Sequence, residues 1–521
     1  MKFNTTTRNN QVTLNHEGAK AYRMDSAMAL YSAVVTWSLN DTFYEKNDER
    51  LIRIRHLIAL NKPGFVAQLA IYARHEMHMR SVPLVLLTEL ARIHSGDNTV
   101  AWATEKVITR ADEITELLAC YETLNKREGF KKLNRLSKQM QKGLAAAFNR
   151  FDEYQFAKYN RDTTIKLRDA LFLVHPKAKN QQQQELFNKI AAHTLAIPYT
   201  WETELSQLGQ QKFETEKEKT IAFRQKWEEL IDSNKLGYMA LLRNLRNILQ
   251  AGVSYAHLKK VTQTLSNGEQ VARSKQFPFR FLSAYRELLN LKSSLNQNKN
   301  WMERLWNGRG YLEEVLDSLE SAAQHSAKNF RGFDENTRVL LACDVSGSMQ
   351  RPISPQSKIL LYDIGLMLAM MLQSRCENVQ VGMFGNTWKR IPVPTRNILS
   401  NVQEFYKREG EVGYATNGHL VLKELLERKE KVDKIMFFTD LQLWNTGTGN
   451  EPMSRLWKQY KANVHAEARL YLFDLNGYGQ VPLKMLDHEV CLIAGWSDKI
   501  FGVLAALEDY ESVIENIRIY S

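Results

Sequence analysis

The spacing of apolar residues changes near residue 335, and this change constrains the fold more than any other feature of the 521-residue chain. Before residue 335, apolar residues recur at three- and four-residue spacing, which is the period of amphipathic helices. After it, short continuous apolar runs alternate with helical patterns, which is typical of a parallel sheet covered by helices on both faces. The sequence therefore predicts an all-helical domain in residues 1–334 and a doubly wound, Rossmann-like α/β domain in residues 335–521.

The predicted helices of the first domain are separated by short polar or Pro/Gly breaks, such as 61–64, 95–97 and 266–268. Antiparallel helix pairs of about 40–47 residues each suit a HEAT-like solenoid of this length. In the second domain the predicted strands are residues 338–343, 379–384, 435–439, 468–473 and 490–493. The predicted helices there are residues 358–373, 402–407, 420–427, 452–460 and 499–510.

A carboxylate and two hydroxyls follow the first predicted strand at alternate positions, as Asp344, Ser346 and Ser348. Alternate residues of an extended segment point the same way, so these oxygens can converge on one small, hard cation, Mg²⁺ by preference. In open α/β sheets, ligands bind at the carboxyl ends of the strands. A Ser/Gly turn with a helix-capping Asp is the alternative that requires no metal.

Two later residues complete the candidate metal site. Thr416 precedes a helical pattern, and Asp440 ends the apolar strand 435–439. The order D-x-S-x-S, then Thr, then Asp resembles the metal-ion-dependent adhesion site of von Willebrand factor A (vWA) domains. Relatives often carry two glycines before the Thr, whereas this chain has Tyr414 and Ala415.

Composition argues against several classes of protein. The first ten residues are polar and lack the apolar segment of a secretory signal, and no apolar run approaches the length of a membrane span. The four cysteines are widely spaced and form no CxxC pair, which favours buried thiols in a reducing compartment. We therefore expect a cytoplasmic protein without a membrane partner, and not an extracellular adhesion receptor.

The net charge of +12 is concentrated in the first domain. Residues 1–330 contain 48 Lys and Arg against 35 Asp and Glu, whereas residues 331–521 contain 22 against 23. This asymmetry predicts a polyanionic partner for the helical domain. A basic but merely solvated helical surface is the alternative.

Three further segments carry motifs: Leu241–Leu245 reads L-L-R-N-L, Arg273–Arg280 reads R-S-K-Q-F-P-F-R, and Asp344–Met349 reads D-V-S-G-S-M. The first two resemble the A-L-L-R-N-L helix and the basic-x-x-P-F segment of the Ro autoantigen (TROVE-domain) family of RNA-binding proteins. Asp344–Met349 (D-V-S-G-S-M) matches the family's D-V-S-x-S-M. The resemblance implies that the helical domain closes into a ring and that a vWA domain follows it.

The resemblance also implies a function. In that family, small structured noncoding RNAs, the Y RNAs, bind the outer surface, and single-stranded 3′ ends of misfolded RNAs enter the central hole. We therefore expect a monomeric scaffold in noncoding-RNA quality control and not an enzyme. In bacterial relatives a 3′ exoribonuclease, polynucleotide phosphorylase, can be the partner.

The family's RNA-contacting segments have counterparts in this chain. Lys158–Arg161 is similar to a basic K-Y-x-x-R segment, and Leu171–Pro176 resembles L-x-L-x-H-x-x-P. Lys and Arg neutralise phosphates, and His stacks on bases or bonds to phosphate or 2′-OH groups. The alternatives are a solvated helix face for the cations and a core histidine. The predicted contacts and their flanking cations are Lys158, Arg161, His175, Lys166 and Arg168.

A second basic cluster runs from Arg74 to Arg80. It contains H-E-M-H, one residue short of the zinc motif H-E-x-x-H, so a zinc site is not expected. Arg74 and Arg80 are candidates for single-stranded RNA contacts inside a ring, with a helix of surface salt bridges as the alternative.

Two other functions compete with the RNA scaffold. A metal-dependent adaptor would use the vWA site to take a partner's carboxylate, with the helical domain as a docking solenoid and no RNA. A nuclease or other enzyme would need a P-loop, a nucleophile triad or a paired acidic cluster beyond the metal site, and the sequence contains none of these motifs.

Overall fold

The computed structural model describes residues 12–14, 20–22, 26–37, 47–124, 136–160, 163–276, 278–297, 310–327, 336–352, 359–395, 397–440, 453–475, 483–486, 490–494 and 510–520. Contacts divide the chain into two compact units. The helical unit comprises Asp25–Ser38, Lys46–Lys212 and Ala506–Ser521. The mixed unit comprises Met1–Met24, Leu39–Glu45 and Phe213–Ala505. This division differs from the boundary at residue 334, which stays a prediction of domain architecture.

The helical unit is built from short helices whose ends are fixed by local signals. Pro63 occupies the first turn of α3, where its missing N–H costs no hydrogen bond. The carboxylate of Asp152 accepts from the Gln155 N–H at 2.7 Å and caps α8. The helices are α1 (Ser26–Trp37), α2 (Asn47–Ala59), α3 (Pro63–His75), α4 (Ser81–Ile93), α5 (Thr99–Val107), α6 (Asp112–Leu124), α7 (Lys138–Phe148), α8 (Glu153–Tyr159), α9 (Leu167–Val174), α10 (Gln181–Ala192), α11 (Trp201–Gly209) and α22 (Tyr510–Arg518).

A glycine sets the closest approach between two helices of this unit. Gly143 of α7 lies directly on α5, where a Cβ would overlap the carbonyl oxygen of Ala101 and the side chain of Thr104. Thr104 is fully buried at this crossing. Small residues let the two helix backbones approach, so the pairing of α5 with α7 depends on the absence of a side chain at residue 143.

The last helix of the chain, α22, belongs to the helical unit and packs against α3, one of the first helices of that unit. The side-chain amide of Gln68 donates to the carbonyl of Arg518 at 3.1 Å. Just past α22, the Tyr520 ring lies 5.9 Å from the Tyr72 ring and 6.5 Å from His75. The predicted final helix at 499–510 falls mainly on residues outside the described part, and α22 begins where that prediction ended.

The mixed unit begins with a short hairpin and a second set of helices. In α13 (Tyr238–Ala251) the buried apolar residues are Leu241, Leu242, Leu245, Ile248 and Leu249, which follow helical spacing and anchor one face of the helix. The elements before the sheet are β1 (Val12–Leu14), β2 (Lys20–Tyr22), α12 (Glu216–Asp232), α13 (Tyr238–Ala251), α14 (Tyr255–Ser266), α15 (Gly268–Ser274), α16 (Pro278–Gln297) and α17 (Gly310–Ala327).

The rest of the mixed unit is a seven-stranded sheet with helices between its strands. The elements are β3 (Val339–Asp344), α18 (Leu361–Arg375), β4 (Val379–Phe384), β5 (Trp388–Arg390), α19 (Leu399–Lys407), α20 (His419–Arg428), β6 (Lys434–Thr439), α21 (Met453–Asn463), β7 (Arg469–Asp474), β8 (Leu483–Leu486) and β9 (Val490–Ala494). The strand order is β5-β4-β3-β6-β7-β9-β8. The five inner strands β4, β3, β6, β7 and β9 pair in parallel, and the edge strands β5 and β8 pair antiparallel.

Helices cover both faces of this sheet, which confirms the doubly wound α/β prediction. On one face, Leu340 and Ala342 of β3 share a buried core with Trp457 of α21. On the other, Gly365 of α18 lies against Phe438 of β6. Because both faces are covered, the central strands carry consecutive buried apolar residues and not only alternate ones, such as Leu340 to Cys343 in β3 and Ile435 to Phe438 in β6.

The predicted helical character of the first part is also confirmed, apart from the β1–β2 hairpin, which was not predicted. Among the described residues, no helix is both long and apolar enough to cross a membrane.

Candidate metal centre and RNA-binding surface

Two carboxylates lie at the carboxyl ends of neighbouring parallel strands. Asp344 is the last residue of β3, and Asp440 directly follows β6. The register pairs Cys343 with Phe438, so both strands end at the same edge of the sheet. Both aspartates have no exposed surface, which is an unfavourable place for negative charge unless hydrogen bonds or a cation compensate it.

Hydroxyl and amide groups surround these carboxylates. The backbone N–H of Ser346 donates to Asp344 Oδ1 at 2.8 Å, and the Thr439 hydroxyl donates to Oδ2 at 2.6 Å. The Ser348 hydroxyl donates to Asp440 Oδ1 at 2.9 Å and lies 3.1 Å from the Ser346 hydroxyl. A chain of hydrogen bonds therefore connects four of the five predicted ligands.

The electrostatics of this edge favour an added positive charge. Burial is the main cause that raises the pKa of Asp344 to about 6; the nearby Asp440 carboxylate acts in the same direction, and the hydrogen bonds from Thr439 and Ser346 oppose both. On the other carboxylate, the Arg351 guanidinium donates to Asp440 Oδ2 at 3.0 Å. A cation bound between the aspartates would relieve both the desolvation and the repulsion.

The loop that carries Thr416 is attached to the same sheet edge. The Asn417 N–H donates to the carbonyl of Gly385, just past β4, at 3.1 Å, and the Ala415 N–H donates to Asn386 Oδ1 at 3.0 Å. Gly385 makes this approach possible, because a Cβ there would overlap the carbonyl of Gly413. The structure thus carries the Thr416 loop to the strand beside β3.

This donor set fits a hard divalent cation. It consists of carboxylate and hydroxyl oxygens, which Mg²⁺ prefers. In the described part of the chain, no three His, Cys, Asp or Glu side chains come together as a metal-binding group, so the two aspartates are the charged ligands of the candidate centre. Sequence reasoning missed Thr439 and Arg351; the signals were the Thr-Asp pair that ends β6 and the basic residue three positions after Ser348.

The described RNA-binding candidates around α8 and α9 are all exposed. Lys158 lies on α8 with Nζ 5.6 Å from the ring of Tyr154. The Arg168 guanidinium lies 5.5 Å from the ring of Phe172. We call these residues, with the exposed Lys166 and His175, the α8–α9 surface; its members are Tyr154, Lys158, Lys166, Arg168, Phe172 and His175.

His175 ends α9 in the left-handed conformation, with φ of 50°, and its side chain is exposed. The reading of His175 as a core histidine is therefore wrong. Arg161 lies outside the described residues. Sequence reasoning missed the exposed aromatic rings; their signal was spacing, since Tyr154 and Phe172 each lie four residues from a cation on the same helix.

Arg74 and Arg80 are engaged in ion pairs with the start of α6. The Arg74 guanidinium donates to Glu113 at 2.6 Å, and its side chain is only 11% exposed. Arg80 bonds to Asp112 at 3.0 Å and to Glu116 at 2.7 Å. This is the arrangement that the salt-bridge alternative expects, and RNA contact by these two arginines stays a prediction.

Comparisons with known proteins agree with this architecture, a helical protein that carries a vWA-like sheet domain. Residues 5–226 and 193–330 match the TROVE domain, and residues 338–507 match the Ro60 vWA domain. The crystal structure of the Deinococcus radiodurans Ro (RSR) protein has a TM-score of 0.60 at 16% identity, over 92% of this chain and 100% of that one. The chain belongs to the Ro autoantigen family of TROVE-domain proteins.

Two curated proteins are also similar to part of the chain. Telomerase protein component 1 of Rattus norvegicus is 27% identical over 313 residues, which is 45% of this chain. The Mus musculus protein of the same name is 25% identical over 324 residues, or 47% of this chain. The aligned part spans only 11–12% of the length of these relatives.

Proposed function

We propose that this protein is an RNA-binding scaffold. Membership of the Ro family supports RNA binding as the general function. The observation that carries the proposal is the α8–α9 surface, where exposed cations lie over exposed rings. Cations neutralise phosphates and flat rings stack on unpaired bases, which is how proteins recognise the loops and ends of structured RNA.

We also propose which RNA is bound and how it is processed. Small structured noncoding RNA of the Y type binds at the α8–α9 surface, and single-stranded 3′ ends of defective RNA bind elsewhere on the helical repeats. The protein acts in the cytoplasm as a monomer that presents RNA for quality control or processing, and a 3′ exoribonuclease such as polynucleotide phosphorylase is the catalyst. The ring that the family resemblance implies stays a prediction.

The metal centre has a separate role in this proposal. Asp344, Ser346, Ser348, Thr416 and Asp440 hold a divalent cation, Mg²⁺ by preference. A cation held there would supply positive charge to which a carboxylate of a partner protein could bind. The residues themselves supply a buried, hydroxyl-rich shell, which suits ligand bridging better than hydrolysis.

The test is to crosslink the protein in its own cells, purify it and sequence the attached RNA. We expect a small set of structured noncoding RNAs. The crosslinks between these RNAs and the protein should be depleted in a Lys158→Ala/Arg168→Ala variant. The control variant Lys212→Ala/Lys217→Ala removes two other exposed cations and should retain the RNA.

The second candidate function is the metal-dependent adaptor, favoured by the two buried aspartates. It is tested in the same cells by Asp344→Asn. Loss of a protein partner in that variant, with no RNA enriched on the unaltered protein, would replace the RNA scaffold by the adaptor.

A further inference from the structure

A cleft of about 290 Å³ opens between α13 and α16 in the mixed unit. Its floor is apolar and includes Leu242, Leu245 and Leu288, and arginines stand around it. The Tyr238 ring on α13 meets the Phe281 ring on α16 edge-on at 6.4 Å, and Arg286 of α16 forms an ion pair with the buried Asp363 of α18. These contacts hold both walls of the cleft in place.

Two of the arginines have no acidic partner among the residues that the structure describes. In the described part of the chain, the side chains of Arg243 and Arg280 make no ion pair or hydrogen bond, and both are exposed to solvent. The third, Arg246, approaches Glu287 only to 3.5 Å. The cleft therefore holds a positive charge that the protein does not balance.

The two unpaired arginines also affect each other. Partial burial lowers the pKa of Arg280 from its ordinary value, and the positive charge of Arg243 lowers it further. The surrounding sequence adds to this field, because residues 239–288 contain eight Lys and Arg but only two Asp and Glu. An anion placed between the two guanidinium groups would relieve their repulsion.

The shape of the cleft restricts the class of anion. An apolar floor beside two guanidinium groups suits a ligand that joins a flat, weakly polar body to a phosphate. Guanidinium forks bind phosphate through two parallel hydrogen bonds, and bases stack on apolar surfaces and on Arg planes. The volume lies near the lower end of the roughly 300–1,000 Å³ typical of ligand pockets, which suits one nucleotide.

We propose that this cleft binds one nucleoside monophosphate unit, with its phosphate between Arg243 and Arg280 and its base over the leucines. The unit comes either from single-stranded RNA or from a free nucleotide. The first source rests on the proposed RNA-binding function, whereas the second does not. Duplex RNA is excluded because its paired bases cannot reach the floor.

The experiment measures three ligands on the full-length protein: a fluorescent ten-nucleotide oligouridylate, free UMP by calorimetry, and a blunt RNA duplex of equal length. The variant is Arg243→Ala/Arg280→Ala. The matched control, Lys259→Ala/Arg273→Ala, removes two exposed cations from the same basic segment outside the cleft. Thermal unfolding establishes that both variants are folded.

The expected result is that the cleft variant binds the oligouridylate about tenfold more weakly or worse, whereas the control changes less than about twofold and duplex binding is equal in all proteins. Arginine-dependent UMP binding identifies a free nucleotide as a source; a loss confined to the oligouridylate identifies the RNA chain. An Arg243→Lys/Arg280→Lys variant, which keeps the charge, should recover only part of the affinity because it lacks the fork.

Three outcomes would overturn the proposed site in the cleft: affinities for the oligouridylate and for UMP that are both equal in the variant and the unaltered protein, an equal loss in the control, or no binding of the oligouridylate or of UMP. Failure of the cleft is distinguishable from failure of the scaffold. If structured RNA still binds in a Lys158-dependent way, the scaffold stands without the cleft. If no RNA binds but UMP does, through Arg243 and Arg280, the cleft stands without the scaffold.

Discussion

At the scale of single residues, Arg351 occupies a carboxylate, Asp440, that belongs to the proposed cation site. Arg351 donates to Asp440 Oδ2 and, through Nε, to the carbonyl of Ser348 at 3.1 Å. Its side chain is 52% exposed, so the ion pair is partly screened by solvent and contributes modestly. Arg351 thus supplies positive charge at the sheet edge when no metal is bound.

Replacing Arg351 by Ala should therefore raise the affinity for Mg²⁺. We expect an increase of about two- to fivefold, the range of a partly exposed ion pair, measured by calorimetric titration. Arg428→Ala, which removes an exposed arginine of α20, is the control and should leave the affinity unchanged. A fall in affinity would show that Arg351 supports the site and does not compete with the metal.

The residues of the candidate site differ in how well the sequence predicted them. Asp344, Ser346, Ser348 and Asp440 were predictable because each follows a recognisable strand, and parallel strands end at one edge. The burial of Arg74 was not, because its partner Glu113 belongs to α6, and only tertiary packing brings the two together. The exposure of His175 depends on a left-handed helix end that its sequence does not announce.

At the scale of elements, the length of each strand decided what could be predicted. The inner strands β3, β4, β6, β7 and β9 have five or six residues, and each contains a continuous apolar segment because helices cover both faces of the sheet. The edge strands β5 and β8 have three and four residues, and the β1–β2 hairpin has three in each strand. Runs this short carry no periodicity, and their pairing with a neighbour defines them.

The contact between α5 and α7 gives a prediction at this scale. Gly143→Ala should lower the free energy of unfolding by about 1–3 kcal/mol, because the added methyl group overlaps the backbone of α5. The control is Gly209→Ala, where nothing lies within 4 Å of the new Cβ; it should change stability by less than about 0.5 kcal/mol. Denaturant unfolding measures both, and equal effects would contradict the close approach.

The connection between β3 and β6 depends on one carboxylate before β6. Asp433 accepts from the Arg338 backbone N–H at 2.9 Å and from its guanidinium at 2.7 Å, and His465 lies 2.8 Å from it. The hydrogen bonds from Arg338 are the largest of the effects that hold the pKa of Asp433 well below its usual range. The ionised carboxylate of Asp433 therefore stabilises the folded protein more than the protonated carboxyl group does.

This lowered pKa predicts a pH dependence of stability. The contribution of Asp433 is present above the unfolded pKa of about 4 and is lost as the pH falls below it, because the unfolded chain takes up the proton first. Asp433→Asn should lower the free energy of unfolding by about 1–2 kcal/mol at neutral pH, after allowance for solvent screening. The loss should become smaller as the solution is acidified. Glu427→Gln, an exposed carboxylate, serves as control. A cost that does not depend on pH would contradict the assignment.

At the scale of the whole molecule, sequence and structure agree on the two kinds of architecture, and the contacts that define a compact unit extend across residue 334. The helices from α12 to α17 belong to the unit that contains the sheet. One link is Glu320 of α17, which accepts from the backbone N–H groups of Leu399 and Ser400 at the start of α19, at 3.0 and 3.1 Å. A change in hydrophobic period marks a change of fold class, but contacts of this kind decide which elements pack together.

The central claim is that RNA binds through the exposed cations of the α8–α9 surface. The most direct test is the affinity of a small structured RNA for the unaltered protein and for Lys158→Ala/Arg168→Ala, measured by fluorescence anisotropy over a range of salt concentrations. We predict that the variant binds about tenfold more weakly or worse and that the slope of log affinity against log salt falls by about 1.4–1.8, which corresponds to two lost phosphate contacts. The Lys212→Ala/Lys217→Ala control should keep both values. An unchanged affinity and slope in the Lys158/Arg168 variant would contradict the account.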